Sequence, residues 1–202
     1  MDKVISKTKY SRKENKKFLI FHMMHHTSTI YFMFFFLLVL IAMTVNNVLK
    51  GQNAMMSIIL LGLTMGIIPF LFISKINEVV KNETPEKIKS TDTIEVTKHK
   101  FSRSNDVIPG KAVFGWNNIE SFCETDDFFY IYNADNTGIF IKKADIIEGS
   151  VEDLRKMALN NLTPGKKGKL PYKRYGRVKK EYNAMMRSKK AQEKALKKAN
   201  KK

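Results

Sequence analysis

Two long apolar stretches constrain this chain more than any other feature of its sequence. They cover residues 29–45 and 54–73, and a short polar segment, residues 46–53, separates them. Neither stretch contains a charged side chain. Each is about long enough to cross the roughly 30 Å hydrocarbon core of a bilayer as a helix. The sequence therefore predicts a transmembrane helical hairpin within residues 27–74.

The charge is distributed unevenly around this hairpin. The chain carries a net charge of +17, from 36 basic and 19 acidic residues. Residues 1–26 hold seven Lys or Arg against two acidic residues, and residues 165–202 hold sixteen against two. Residues 90–164 hold eight basic and twelve acidic residues. This asymmetry indicates that the two ends face an anionic surface while the middle of the chain does not.

The charges also predict an orientation. The connector between the apolar stretches carries only Lys50, so the excess of positive charge near both ends places both termini in the cytoplasm. The absence of Asp, Glu, Lys and Arg from the apolar stretches argues against a transporter or channel. Cys123 is the only cysteine, which is typical of a reducing compartment. Lysine outnumbers arginine thirty to six, which is typical of an AT-rich bacterial genome. We expect a multi-pass protein of the bacterial cytoplasmic membrane, and the bilayer is its first partner.

Two features of the apolar region allow alternative interpretations. Gly62 and Gly66 have the spacing that lets two helix backbones approach closely, either in a homodimer or against the first helix of the same chain, and we favour the second. His22 and His26 lie four residues apart and would share one face of a helix, as in a metal site. No carboxylate or cysteine lies nearby, so we interpret them as interfacial histidines and expect no metal or cofactor.

The remaining segments predict a domain of strands and one helix, preceded by a basic arm and a linker. Residues 1–26 are interpreted as a basic cytoplasmic arm, in which residues 1–17 are mobile and residues 18–24 form a short apolar patch at the membrane interface. Residues 75–90 are interpreted as a linker that is helical at first and broken by Pro85. From residue 91 the apolar pattern alternates with period two, and Ser150 begins an amphipathic helix. The fold class is α+β, with a small antiparallel barrel closed by one helix over residues 91–164. Strands are expected at residues 91–97, 98–103, 111–116, 119–124, 128–132 and 139–142.

The middle of this domain resembles a known family. Trp116 precedes a strand, an acidic turn at Asp126-Asp127 follows, and then come an aromatic strand and an apolar strand that ends at Lys142-Lys143. This order is similar to that of the YcxB-like family, whose members pair two membrane helices with such a carboxy-terminal domain. The resemblance covers roughly residues 28–160. It implies a pleckstrin-homology-like barrel on a membrane hairpin, with no established activity and no catalytic residues.

The residues themselves indicate little chemistry. Trp116, Lys142 and Lys143 are candidates for the domain surface, although Trp116 fits the core or rim of a barrel better than a ligand-stacking role. Adjacent carboxylates such as Asp126 and Asp127 usually point to solvent on opposite sides, and nothing nearby would activate Cys123 as a nucleophile. We therefore expect no enzyme activity and no catalytic residues.

The basic tail, residues 165–202, is predicted to be partly helical and has three interpretations. It contacts anionic lipid head groups, it is merely solvated, or it binds RNA or the ribosome, in our order of preference. The function that follows is a membrane-tethered cytoplasmic binding or regulatory domain with protein or anionic-lipid contacts. The alternative is a ribosome- or nucleic-acid-associated membrane protein. The candidate contacts with an anionic surface are Lys166, Lys167, Lys169, Lys173, Arg174 and Arg177.

Overall fold

A computed structural model describes residues 3–135, 137–165 and 168–199 of the chain. The described residues form two compact units. The helical unit is Tyr10–Ile88, and the β unit combines the residues up to Lys9 with those from Lys89 onward. The β unit is therefore built from both sides of the apolar stretches.

The helical unit contains four helices: α1 (Arg12–His25), α2 (Thr29–Leu49), α3 (Met55–Lys81) and α4 (Pro85–Lys89). By length and composition, α2 and α3 are each sufficient to cross a membrane. Helix α2 extends beyond its predicted stretch to Leu49, so the connector is only residues 50–54, and α3 extends at its other end to Lys81. Their apolar side chains lie largely exposed, including Phe32 at 71%. This large exposed apolar surface is typical of helices that face lipid.

Helix α1 corrects one prediction, because residues 12–17 are helical rather than part of a mobile arm, and the apolar patch at residues 18–24 continues the same helix. This helix lies beside the end of α3. Lys16 Nζ donates a hydrogen bond to Asn77 Oδ1 at 2.7 Å, and Asn15 Nδ2 donates one to the Glu83 carboxylate. Phe21 on α1 is buried within this arrangement. Within the apolar run of α1, Phe21 is thus used in packing, whereas Met24 is 45% exposed.

The β unit contains two sheets. The first has the strand order β4-β3-β2-β1-β8, and the second has the order β7-β6-β5-β9. The expected strands are all present within one or two residues of their predicted bounds, and β1, β8 and β9 are additional. The strands are β1 (Lys3–Lys9), β2 (Thr91–Thr97), β3 (Lys100–Asn105), β4 (Lys111–Gly115), β5 (Ile119–Glu124), β6 (Phe128–Asn133), β7 (Gly138–Lys142), β8 (Ile146–Glu148) and β9 (Tyr172–Arg174).

Strand β1 is the largest departure from the predicted mobile arm. It pairs antiparallel with β2 along its whole length, from Lys3 opposite Thr97 to Lys9 opposite Thr91. Its other edge pairs with β8. The amino-terminal arm was predicted to be unstructured, and this prediction is wrong, because residues 3–9 form an internal strand of a sheet that is encoded more than 80 residues later.

The core lies between the two sheets and helix α5 (Val151–Asn161). The predicted amino-terminal cap of α5 is confirmed, since the Ser150 hydroxyl accepts a hydrogen bond from the Asp153 backbone N–H. Leu154 and Ala158 are fully buried. Within the described residues neither sheet closes on itself, so the predicted barrel is not confirmed. What is observed is a pair of open sheets covered by a helix, with antiparallel pairing everywhere except between β5 and β9.

The basic tail is partly integrated into the β unit. Strand β9 adds to the edge of β5 in parallel orientation, with Tyr172 opposite Phe122. The long helix α6 (Gly176–Ala199) follows it directly. The helical part of the tail was predicted, whereas its docking through β9 was not.

Candidate functional site

A cluster of charged and polar side chains in the β unit surrounds the carboxylate of Glu124, the last residue of β5. Its side chain is fully buried. Oε1 accepts hydrogen bonds from Lys143 Nζ at 2.7 Å and from the Arg155 guanidinium, whose Nε lies at 2.9 Å. Oε2 accepts one from the Tyr172 hydroxyl at 2.6 Å, and Arg174 Nε lies 3.7 Å away. One carboxylate therefore joins β5, β9, α5 and the turn after β7.

These contacts decide the ionisation of Glu124. Burial by itself would raise the pKa of this carboxyl group, but the hydrogen bonds from Arg155, Lys143 and Tyr172 outweigh it and lower the pKa below its usual value. The same carboxylate raises the pKa of Arg155. Glu124 is therefore held as an anion, as a buried charge with several cationic partners must be.

Aromatic rings hold two of the cations in place. The guanidinium of Arg174 lies 4.4 Å from the ring centre of Tyr172 and 4.0 Å from that of Tyr182. Lys143 Nζ lies 5.0 Å from the ring centre of Phe129. Such cation–π contacts stabilise desolvated cations. Because Tyr182 belongs to α6, they also connect the tail helix to the cluster.

A second carboxylate fixes the start of α6. Asp126 Oδ1 accepts hydrogen bonds from the backbone N–H groups of Arg177 at 2.9 Å and Val178 at 3.1 Å. These are unpaired groups of a helix amino terminus, where a carboxylate also interacts favourably with the helix dipole. Gly176 has a φ of +62°, and a Cβ at this position would contact the carboxylate at 3.1 Å. Glycine is therefore required at this turn.

Cys123 lies beside this attachment and is buried, with 3% of its surface exposed. It is paired with Lys173 in the parallel ladder of β5 and β9, and its Sγ lies 3.3 Å from Ser121 Oγ. Burial raises the pKa of the Cys123 thiol, and a hydrogen bond with Ser121 and the charge of Lys173 only partly oppose this. A thiol with a raised pKa is a poor nucleophile.

A cleft of about 690 Å³ lies between β4 and the hairpin that joins β6 to β7. Apolar side chains of Phe114 and Ile139 line it, together with the polar side chains of Asn118, Asn133 and Arg103. Its volume and mixed lining fall within the range of ligand-binding sites. The cleft is therefore a second candidate binding surface of the β unit.

The structure places the predicted surface residues in different environments. Trp116 is 5% exposed, its Nε1 donates to the Thr97 carbonyl at 2.9 Å, and it packs edge-on against Phe101, so it belongs to the core and not to the surface. Lys142 lies 3.5 Å from Asp145 and is partly exposed, whereas Lys143 is bound to Glu124.

The predicted contacts with an anionic surface also separate into groups. Arg174 is 15% exposed in its side chain and is engaged with Glu124 and two tyrosines, so it is not a surface residue. Lys169, Lys173 and Arg177 are exposed as expected. The remaining candidates, Lys166 and Lys167, lie outside the described residues.

Two predictions concern the helical unit, namely the packing role of Gly62 and Gly66 and the interfacial position of His22 and His26. A Cβ added at Gly62 or Gly66 would meet no atom of the described structure within 4 Å outside the local backbone of α3. The favoured interpretation, that these glycines pack against α2, is therefore wrong, and the homodimer stays a prediction. Substituting both glycines by leucine and measuring self-association in detergent would test it.

The rings of His22 and His26 lie 5.4 Å apart, and burial and the charge of His26 lower the pKa of His22.

Sequence reasoning named Lys143 and Arg174 for other roles but missed the polar cluster that they form with Glu124. Glu124 ends a predicted strand and Arg155 lies on a predicted helix, but no local pattern indicates that they meet. The only signal for Tyr172 and Arg174 is their alternation after Pro171, which is compatible with a short strand. The partners of a buried carboxylate are set by tertiary structure, which single-sequence periodicity does not contain.

These features define a class of protein with two membrane-capable helices and an antiparallel β domain to which both chain ends contribute strands. The model of the YcxB-like protein family matches residues 109–158, from just before β4 into α5. This match confirms the resemblance, and the two apolar helices precede the matched region. Searches of curated proteins and of solved structures gave no match.

Proposed function

We propose that this protein crosses the bacterial cytoplasmic membrane twice and presents its β unit to the cytoplasm as a binding or regulatory domain. The observation that carries the proposal is the pairing of β1 with β2. Strand β1 precedes the two candidate spans and β2 follows them. Two strands can share a ladder only on the same side of a membrane, so the pairing supports an even number of crossings.

The charge distribution supports the cytoplasmic side. Basic residues accumulate before α2 and after α3, while the connector carries only Lys50. Positive charge close to the ends of membrane helices is retained in the cytoplasm. Both termini are cytoplasmic in this proposal.

The proposed activity is binding rather than catalysis. The carboxylate of Glu124 is paired with cationic side chains, and the pKa of the Cys123 thiol is raised. Both residues are therefore suited to a structural role rather than to catalysis. Exposed basic side chains on α6, including Arg187, Lys189 and Lys190, are suited to anionic lipid head groups. Each basic residue near an anionic leaflet contributes about 1 kcal/mol.

The orientation is tested with single-cysteine variants in a Cys123→Ser background. Asn47→Cys lies near the end of α2, and Asn105→Cys lies in the β unit. In intact cells a membrane-impermeant maleimide should label Asn47→Cys at once, and Asn105→Cys only after permeabilisation. Labelling of Asn105→Cys from outside, or protection of Asn47→Cys, would contradict the proposed topology.

The lipid contact is tested with the full chain in vesicles. Vesicles of phosphatidylcholine with phosphatidylglycerol should protect α6 from trypsin, while vesicles of phosphatidylcholine alone should not. The variant Lys189→Glu/Lys190→Glu should lose this protection, and the control Lys100→Glu/Lys111→Glu, with exposed lysines on the β unit, should keep it. Salt-sensitive co-sedimentation with ribosomes without lipid protection would favour the alternative, a ribosome-associated protein.

A further inference from the structure

The attachment of the tail to the β unit is local and sparse. Strand β9 contributes three residues to a parallel ladder, in which Phe122 is opposite Tyr172 and Glu124 is opposite Arg174. A cleft of about 510 Å³ remains between α5 and α6, next to Leu159 and Met185. Segments with few packed contacts open at a lower free energy than the core does. We call residues 172–185, which carry all of these contacts, the strap.

Besides the backbone hydrogen bonds of the ladder, two carboxylates attach the strap to the β unit. Glu124 binds Tyr172 and Arg174, and Asp126 binds the amino terminus of α6. The strap itself carries five Lys or Arg, and residues 165–202 as a whole carry sixteen. Lipid phosphates attract the same segment. Beyond the strap, the side chains of residues 187–192 are exposed, so a lipid surface would reach them while the strap is still docked.

The cluster is arranged so that it can lose the strap without leaving a buried charge unpaired. Lys143 and Arg155 bind Oε1 of Glu124 and belong to the domain, whereas Tyr172 and Arg174 lie at Oε2. When the strap leaves, Oε1 keeps its cations and Oε2 becomes accessible to water. The usual penalty for breaking a buried ion pair is therefore largely avoided.

We propose that the strap is a releasable element: an anionic lipid surface competes with Glu124 and Asp126 for the basic tail and detaches β9 and the start of α6 from the β unit. This inference rests on the lipid contact in the proposed function. Release exposes the edge of β5, which the strap covers in the docked state. Membrane binding would thereby alter the surface that the β unit offers to a partner.

The chain contains its own reporter of this change. Cys123 is the only cysteine, and it is buried opposite Lys173 in the ladder that release would break. The thiol also interacts with Tyr175, the residue after β9. Its rate of reaction with a maleimide should therefore rise when the strap leaves.

The experiment uses the full chain in vesicles of phosphatidylcholine, with or without phosphatidylglycerol. We expect labelling of Cys123 to be about tenfold faster in the anionic vesicles, because labelling follows the population of the open form. The fluorescence of Trp116, the only tryptophan, should stay unchanged, which excludes unfolding of the core. In the variant Lys189→Glu/Lys190→Glu the acceleration should disappear, and Tyr172→Phe should label faster in neutral vesicles.

Two negative results have different meanings. If anionic vesicles protect α6 from trypsin but leave the labelling of Cys123 unchanged, the release is wrong and the lipid contact stands. If they neither protect α6 nor change the labelling, the lipid contact fails and the release fails with it. Faster labelling together with a change in Trp116 fluorescence would also overturn the proposal, because the core would then be opening.

Discussion

The two ends of this chain resemble each other in composition but differ in how they join the β unit. Both are basic, and both add a strand to a sheet. Strand β1 pairs over seven residues and buries Val4, Ser6 and Thr8. Strand β9 pairs over three residues, packs the Tyr172 ring against Phe122, and is held by polar contacts with Glu124 and Asp126. The amino-terminal end is thus part of the fold, and the carboxy-terminal end is attached to it.

The largest expected effect is at β1. Val4 is 1% exposed and lies in the core opposite Val96. In Val4→Asp a carboxylate would be buried without a partner, and we expect a loss of about 4 kcal/mol or more in the free energy of unfolding. Denaturant titration in detergent, followed by Trp116 fluorescence, measures it. The control Lys9→Asp introduces the same side chain at an exposed position of β1 and should change stability little. If the free energy of unfolding fell as little in Val4→Asp as in Lys9→Asp, β1 would not be an integral strand.

The polar cluster should give the next largest effect. In Glu124→Gln, the cations of Lys143, Arg155 and Arg174 lose the carboxylate that they share. Removing one partner of a buried ion pair is costly, and we expect a destabilisation of about 3 kcal/mol, the lower end of the usual range because the cations are partly exposed. The same fluorescence titration measures it. An unchanged midpoint would show that the cluster contributes no net stability.

The same cluster predicts a dependence on pH. The folded pKa of Glu124 lies below its value in the unfolded chain, which is about 4.3. Its stabilising contribution is therefore present above about pH 4.3 and is lost as the pH falls below this value through the folded pKa. The difference in stability between the native chain and Glu124→Gln should shrink in acid. A difference that stays constant down to the acid transition would contradict the lowered pKa.

The predictability of each region follows from the kind of contact that forms it. The apolar runs of α2 and α3, the alternation in β2 and the aromatic run of β6 are local patterns, and they identified these elements from the sequence. In β1 the buried positions are Val4, Ser6 and Thr8, and two of these three side chains are polar. The sequence therefore lacks the apolar alternation of a strand and was interpreted as a basic arm. Its partner is also encoded more than 80 residues later.

The polar cluster was unpredictable for a related reason. Glu124 binds Lys143, Arg155 and Tyr172, which come from three separate elements. Charged residues are usually exposed, so a single sequence favours a solvated Glu124. Only the fold brings enough cations together to make its burial favourable.

A smaller effect is expected for the first contact of the strap. Tyr172→Phe removes the hydroxyl that donates to Glu124 Oε2 at 2.6 Å and keeps the aromatic ring beside Arg174. A hydrogen bond to a charged group contributes about 1.5 kcal/mol or more. We expect faster maleimide labelling of Cys123 with little change in the global unfolding midpoint. A large fall in that midpoint would instead make β9 as integral to the fold as β1.

The smallest effect should come from the cap of α6. Asp126→Ala removes the acceptor of the Arg177 and Val178 backbone N–H groups, and loss of such a cap costs about 1 kcal/mol. The control Glu120→Ala removes an exposed carboxylate of the neighbouring strand β5 and should behave as the native chain does. Asp126→Ala should increase the labelling rate of Cys123 without altering Trp116 fluorescence. The cap acts only on the tail. If Cys123 were labelled at the same rate in Asp126→Ala and Glu120→Ala, Asp126 would not hold the strap. The contrast between the two chain ends would then rest on Glu124 alone.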